Sequence, residues 1–209
     1  MEERMDAGPL TAAVMTARGE DGTLSRQSFR RETAEGMDAS DLTFRQVRFL
    51  GCRFLACDFR AAAFYDCVFQ DCAFLSCRLA RSFWKGAALT GCKAEGADLR
   101  KGRFKDCRLD RLRLRYANLN GALWERCALS DCDLAESACQ ELKVVKTTLH
   151  KTDFTGADLF RAVLKGADLS GCTLDGISLS ASCQELKGAK IHASQAAVVA
   201  RILGIEVEM

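Results

Sequence analysis

The sequence predicts an all-β parallel solenoid that ends in a short α-helix. Three observations carry this. An apolar residue recurs every five positions from Phe44 to Leu179 without a slip in phase. A column of small residues runs two positions ahead of it, and beyond Leu179 the period of five gives way to a helix-like pattern. A solenoid is sought first because internal repetition overrides any local reading of helix or strand.

Taken in chain order, residues 1–23 lack the repeat, carry mixed charge and read as a flexible leader. No apolar run in this stretch suggests a secretory signal. Residues 24–41 hold weak repeat positions at Leu24, Phe29, Ala34 and Ala39 and read as an imperfect first coil or an N-terminal cap. Some cover is needed there, since a bare first coil exposes unpaired strand edges.

The clear repeats span 42–181, within a repeat domain set at 24–191. Of the 28 positions at five-residue steps from Phe44, 23 are Leu or Phe, where composition alone gives roughly 5. The residue two before each is Ala, Cys, Ser, Thr or Gly at 23 of the 28. Five residues advance a helix by a non-integral turn and reverse the face of a flat strand. The pattern works if each pentad is a short extended piece followed by a corner, with the two columns pointing inward. Large and small side chains then alternate in the interior and fill it. Glycines two residues after a centre, as at Gly96 and Gly156, suit a corner with positive φ. A lone proline suits a backbone ladder that can spare few donors.

With 20 residues per turn, Phe44, Phe64, Trp84, Phe104, Trp124, Val144 and Leu164 stack into one core ladder. The other ladders change from Phe to Leu along the chain, which predicts an interior that narrows toward the C-terminal half. Ten of the twelve cysteines lie in the small-residue column. Their recurrence at five rather than two or three residues points to small buried thiols, not to metal ligands or disulfides. With no signal segment, they imply a reducing, cytoplasmic setting. No cofactor, catalytic group or membrane span is predicted. His150 and His192 lack a local nucleophile or carboxylate partner and are placed in solvent.

The final segment, 192–209, reads as a helix and tail. Ser194 is the expected N-cap and Gly204 the terminator. Val198, Val199, Ile202 and Leu203 form an apolar stripe, followed by the alternating Ile205 and Val207. Such a surplus face either covers the open end or pairs with a second copy, and self-association is the expectation.

Gly96-Ala97-Asp98-Leu99, Gly156-Ala157-Asp158-Leu159 and Cys52-Arg53-Phe54 resemble the A(D/N)LXX signature of pentapeptide repeat proteins. That resemblance implies a right-handed quadrilateral β-helix of seven or more coils, four pentads per coil. The stretch Ala189-Lys190-Ile191 through Gln195-Ala196 to Leu203-Gly204-Ile205 is similar to the C-terminal segment of the Qnr and mycobacterial quinolone-resistance subgroup. What this implies is a homodimer joined through the C-terminal helix that protects DNA gyrase or topoisomerase IV from inhibitors. The chain is closest to the loop-free members, including the albicidin-resistance type.

The surface departs from an acidic DNA mimic. The formal net charge is only +2, and the face of Phe44 is basic. It carries Arg45, Lys85, Arg103, Lys105, Arg126, Lys143, Lys146 and Lys165 against Asp66, Asp106 and Glu125. A further basic belt runs over 100–115. These side chains admit ordinary solvation with pairing across coils, a topoisomerase contact, or a scaffold surface for an unrelated protein or nucleic acid.

Overall fold

A computed structural model of the chain describes residues 8–208. The repeats wind into a parallel β-solenoid whose three-residue strands lie on successive faces, twenty residues per turn. Seven strands pair in register on the first face, from Thr23–Ser25 through Ala63–Tyr65 to Lys143–Val145. Val163 bridges Lys143 to begin an eighth turn. The second face also stacks seven strands and the third stacks three, continued by isolated bridges such as Lys93 to Arg113. At about 4.8 Å per strand spacing, the seven steps from Thr23 to Val163 rise about 34 Å.

The inward alternation is that of the pentads. Every centre from Phe44 to Leu174 is buried, as is every small residue two before it, and only Leu179 is half-buried. On the first face the rings of Phe44 and Phe64 stack at 4.9 Å, Phe64 and Trp84 at 4.0 Å, and Trp84 and Phe104 at 5.5 Å. Each such buried side chain contributes about 1.5–3 kcal/mol. Where Phe gives way to Leu and to Ala94, the turn keeps its twenty residues. An apolar void of about 20 Å³ lies there, lined among others by Phe74, Leu79, Trp84 and Ala94.

Corners come in two chemistries. Nearly every residue two after a centre sits at positive φ, including non-glycines such as Asp66, Arg111 and Tyr116. The signature Asp or Asn just before a centre folds its own corner: Asp58 Oδ1 accepts from Arg60 N at 3.0 Å, Asn118 Oδ1 from Asn120 N at 3.1 Å, and Asp158 Oδ1 from Phe160 N at 3.0 Å. These Asx turns explain why either residue serves in the motif.

Buried thiols tie coils together by donating to carbonyls of their own and the preceding turn. Cys57 Sγ, for example, lies 3.4 Å from both Ala34 O and Leu55 O. Thr147 occupies the same kind of position, with Oγ1 accepting from Cys127 N at 3.0 Å. Burial pushes the Cys67 and Cys132 thiols up to about 11 and Cys139 up to about 12. They remain protonated at neutral pH and are poor nucleophiles.

The N-terminal expectation needs correction. Within the segment read as a flexible leader, Pro9–Gly19 form helix α1, with Leu10, Val14 and Ala17 buried against the first coil. Pro9 starts it, and the i, i+4, i+7 spacing of those three residues gives it one apolar face. Arg18 anchors it through Asp38 Oδ1 and Ser40 O, both at 2.8 Å. Residues 1–7 of that leader lie outside the described residues. Residues 24–41 form a true first coil, with Leu24, Phe29, Ala34 and Ala39 buried. The cover over that coil is α1.

At the other end, helix α2 spans Ala193–Ile202. Its N-cap is His192, not Ser194. The His192 ring accepts from Ser194 N, while Gln195 Oε1 accepts from His192 N at 2.6 Å, closing a capping box. His192 thus does structural work the sequence assigned to a serine. Gly204 does adopt the left-handed terminator, at φ 77°.

Candidate binding surfaces

Three surfaces stand out once the interior is accounted for. The first is the face of Phe44. Lys85 and Lys105 are register neighbours, and Arg103 lies between Phe83 and Leu123. Arg126 is held by Asp106 at 2.7 Å and by Glu125, and Lys105 reaches Glu125 at 3.9 Å. Arg45 lies over the Tyr65 ring at 4.4 Å. Lys85, Arg103, Lys143, Lys146 and Lys165 are exposed and form no ion pair among the described residues. The predicted stripe is therefore broken in two ways, by pairing at its middle and by the apolar Phe83, Leu123, Val145 and Val163 within it. In the belt over 100–115, Arg100 pairs with Asp98 at 2.7 Å and Arg111 with Asp110 at 3.0 Å.

The second surface is the C-terminal end. Beyond Leu179 the coil becomes irregular, and its open backbone groups are met by side chains. Glu185, only 4% exposed, accepts from Arg161 N at 2.8 Å, Ser180 N at 3.2 Å and Ser180 Oγ at 2.9 Å. Burial alone would raise its pKa, but these donors outweigh it and hold the carboxylate below its usual range. Lys190 pairs its backbone with Asp168, and its Nζ sits 2.8 Å from Asp168 Oδ2. Helix α2 docks through Gln195, whose Nε2 donates to Leu169 O and Cys172 O at 2.9 and 2.6 Å. Ile202 is half-buried against the core, as are Val198, Val199 and Val207 in their own surroundings, whereas Leu203 and Ile205 are 47% and 55% exposed. The helix covers the last coil and still leaves an apolar edge in solvent.

The third surface, of which sequence reasoning singled out only Arg45, is an arginine-rich shoulder on the first two coils, built from Arg26, Arg30, Arg31, Arg45 and Arg48. The signal was available in the absence of any Asp or Glu over 22–31 and 42–51.

Among the described residues, no group of three His, Cys, Asp or Glu side chains is placed to hold a metal ion. No helix among them is long and apolar enough to cross a membrane.

Comparison with known proteins agrees with this architecture. The model of pentapeptide repeats matches residues 67–106, 107–138 and 145–180. Among solved structures, QnrB1, a plasmid-mediated fluoroquinolone resistance protein, is 19% identical, with 88% of this chain and all of that one covered at a TM-score of 0.44. HetL, a pentapeptide repeat protein involved in heterocyst differentiation regulation from the cyanobacterium Nostoc, is 20% identical over 82% of this chain and 90% of its own, with a TM-score of 0.35. A pentapeptide repeat protein of the Arabidopsis thaliana thylakoid lumen is 20% identical over 87% and 88%, at 0.17. No curated protein matches the chain. The five-residue inward ladder, the Asx corners and the matched repeats lead to one conclusion: the chain belongs to the pentapeptide repeat family.

Proposed function

We propose that the chain acts by binding alone, as a rigid rod that self-associates through α2 and protects a type II topoisomerase, such as DNA gyrase, from inhibitors. The observation that carries this reading is the apolar edge of Leu203 and Ile205 at the end of a rod most of whose thiols and aromatic rings are consumed by packing. A helix that already covers its own coil has no further use for that edge within one chain, and a second copy supplies a matching one. Val198, Val199, Ile202 and Val207 flank it as the rest of the interface. The topoisomerase part of the reading is supported by the likeness of residues 189–205 to the C-terminal segment of the quinolone-resistance subgroup. No face of the rod is an acidic stripe, so the contact does not depend on imitating the charge of DNA.

A supercoiling assay with purified gyrase and a quinolone or another gyrase poison tests this. Protection that rises with concentration of the chain and is lost in Leu203→Glu is expected. Absence of protection at every concentration contradicts it.

A second reading is favoured by the exposed, unpaired Lys85, Arg103, Lys143, Lys146 and Lys165: a scaffold that presents this face to an unrelated acidic partner. Lys85→Glu with Lys105→Glu abolishes capture of that partner and leaves topoisomerase protection intact; the reverse pattern rejects it.

A further inference from the structure

We infer that the arginine-rich shoulder of the first two coils binds the phosphodiester backbone of duplex DNA. Apart from Arg45, which also belongs to the face of Phe44, this rests on residues other than those of the proposed function, and topoisomerase protection has no bearing on it.

The side chains of Arg26, Arg30, Arg31, Arg45 and Arg48 are all exposed, and none is in an ion pair among the described residues. Elsewhere on the rod several arginines are taken up by carboxylates, as at Arg60–Asp58, Arg100–Asp98 and Arg126–Asp106, while others such as Arg103 and Arg113 stay unpaired among the described residues. The shoulder escapes because its stretches, 22–31 and 42–51, carry no Asp or Glu. Five uncompensated guanidinium groups are thereby concentrated on two neighbouring faces of a chain whose net charge is only +2.

The fold fixes their spacing. Ser25 pairs with Arg45, Ser28 with Arg48 and Arg30 with Leu50, so these arginines sit on adjacent parallel strands. Strand spacing of about 4.8 Å and two residue rises put the Arg30 and Arg48 backbones about 8 Å apart. Two grooves lie at the corners. One, of about 300 Å³, is lined by Arg26, Arg45, Gln46, Tyr65 and Asp66; the other, of about 450 Å³, by Arg30, Arg31, Arg48, Gln70 and Asp71. Asp66 and Asp71 on the third coil bound both grooves and limit an anion to the first two coils.

Guanidinium forks match phosphate oxygens in pairs, and a strand-fixed array suits a polymer with regularly spaced charges. A protein partner would need an apolar anchor at the centre of the surface, where only the half-buried Leu50 is present. Single strands bind on aromatic platforms, and the one aromatic ring here, Tyr65, is covered by Arg45 at 4.4 Å. Backbone contact with a duplex is what remains.

Fluorescence anisotropy of a short, mixed-sequence, fluorescein-labelled duplex, titrated with the full chain at several salt concentrations, tests the proposal. Binding at low salt with a log–log salt slope of about −4.5 is expected for five engaged arginines. Arg30→Ala with Arg48→Ala reduces that slope by about 1.8, while Arg113→Ala with Arg115→Ala, on the third face, leaves it unchanged. Both pairs are exposed, so unaltered thermal unfolding verifies that the variants fold. No binding at low salt, equal loss from both double variants, or tighter binding of single-stranded DNA or poly-glutamate than of the duplex would each overturn it.

Discussion

The indole Nε1 of Trp84 donates to Ser82 Oγ at 2.8 Å inside the solenoid, two residues back along its own pentad. Forty residues later in the same ladder, Trp124 has Ala122 at the corresponding place and its buried Nε1 finds no partner. Repetition of the coil makes one pentad the control for the other. Supplying the missing acceptor with Ala122→Ser is expected to stabilise the fold by about 1 kcal/mol, and Ser82→Ala to destabilise it by about 1–3 kcal/mol. Thermal and urea unfolding of the two variants measure both.

The void beside Ala94 has a similar logic. Ala94 stands at a centre where the ladder otherwise holds Phe74 below and Leu114 above, and about 20 Å³ is left unfilled. At about 24 cal/mol per Å³ the void costs about 0.5 kcal/mol. Ala94→Val adds apolar contact without a polar atom and raises stability by about 0.5–1 kcal/mol. An unchanged or lowered melting temperature shows that the surrounding side chains do not admit it.

Glu185 replaces, with its side chain, acceptors that a further regular coil would supply. Glu185→Ala strands Arg161 N and Ser180 N and costs about 2–3 kcal/mol; Glu185→Gln keeps an acceptor and costs about 1 kcal/mol. The carboxyl's folded pKa lies below its unfolded value of 4.5. Its contribution is therefore present above pH 4.5 and is lost as pH falls through the folded pKa. Unfolding measured from pH 6 down to pH 3 gives a steeper loss for the wild type than for Glu185→Gln.

At the corners, Asp98 holds Arg100 N at 3.2 Å through Oδ1 and pairs with the Arg100 guanidinium. The partly exposed ion pair is worth little, whereas the Asx bond fixes the turn. Asp98→Asn is expected to be nearly neutral and Asp98→Ala to cost about 1 kcal/mol. A large loss in the Asn variant would shift the credit to the ion pair.

The pentad centres could be read from sequence because a side chain's place in this fold depends only on its position modulo five. Phe44 and Leu174 obey the same rule 130 residues apart. The ends obey no such rule. Helix α1 escaped notice since its apolar face is three residues, Leu10, Val14 and Ala17, and its N-cap Gly8 has no side chain to mark it. His192 competes with Ser194 for the cap of α2, and only the Gln195 contact decides between them. On the surface, sequence locates Arg126 on the basic face but not its capture by Asp106, one coil below. The arginine shoulder is hidden in sequence because the coil that carries Arg26, Arg30 and Arg31 holds only weak repeat positions, and the pairing of Ser25 with Arg45 and Ser28 with Arg48 is what joins it to the next coil.

The proposed rod depends most on what covers Leu203 and Ile205. Sedimentation equilibrium of the full chain, with Leu203→Glu alongside, measures this without assuming any partner. Twice the chain mass for the wild type and a folded monomer for the variant are predicted; a wild type that stays monomeric at high concentration contradicts the account.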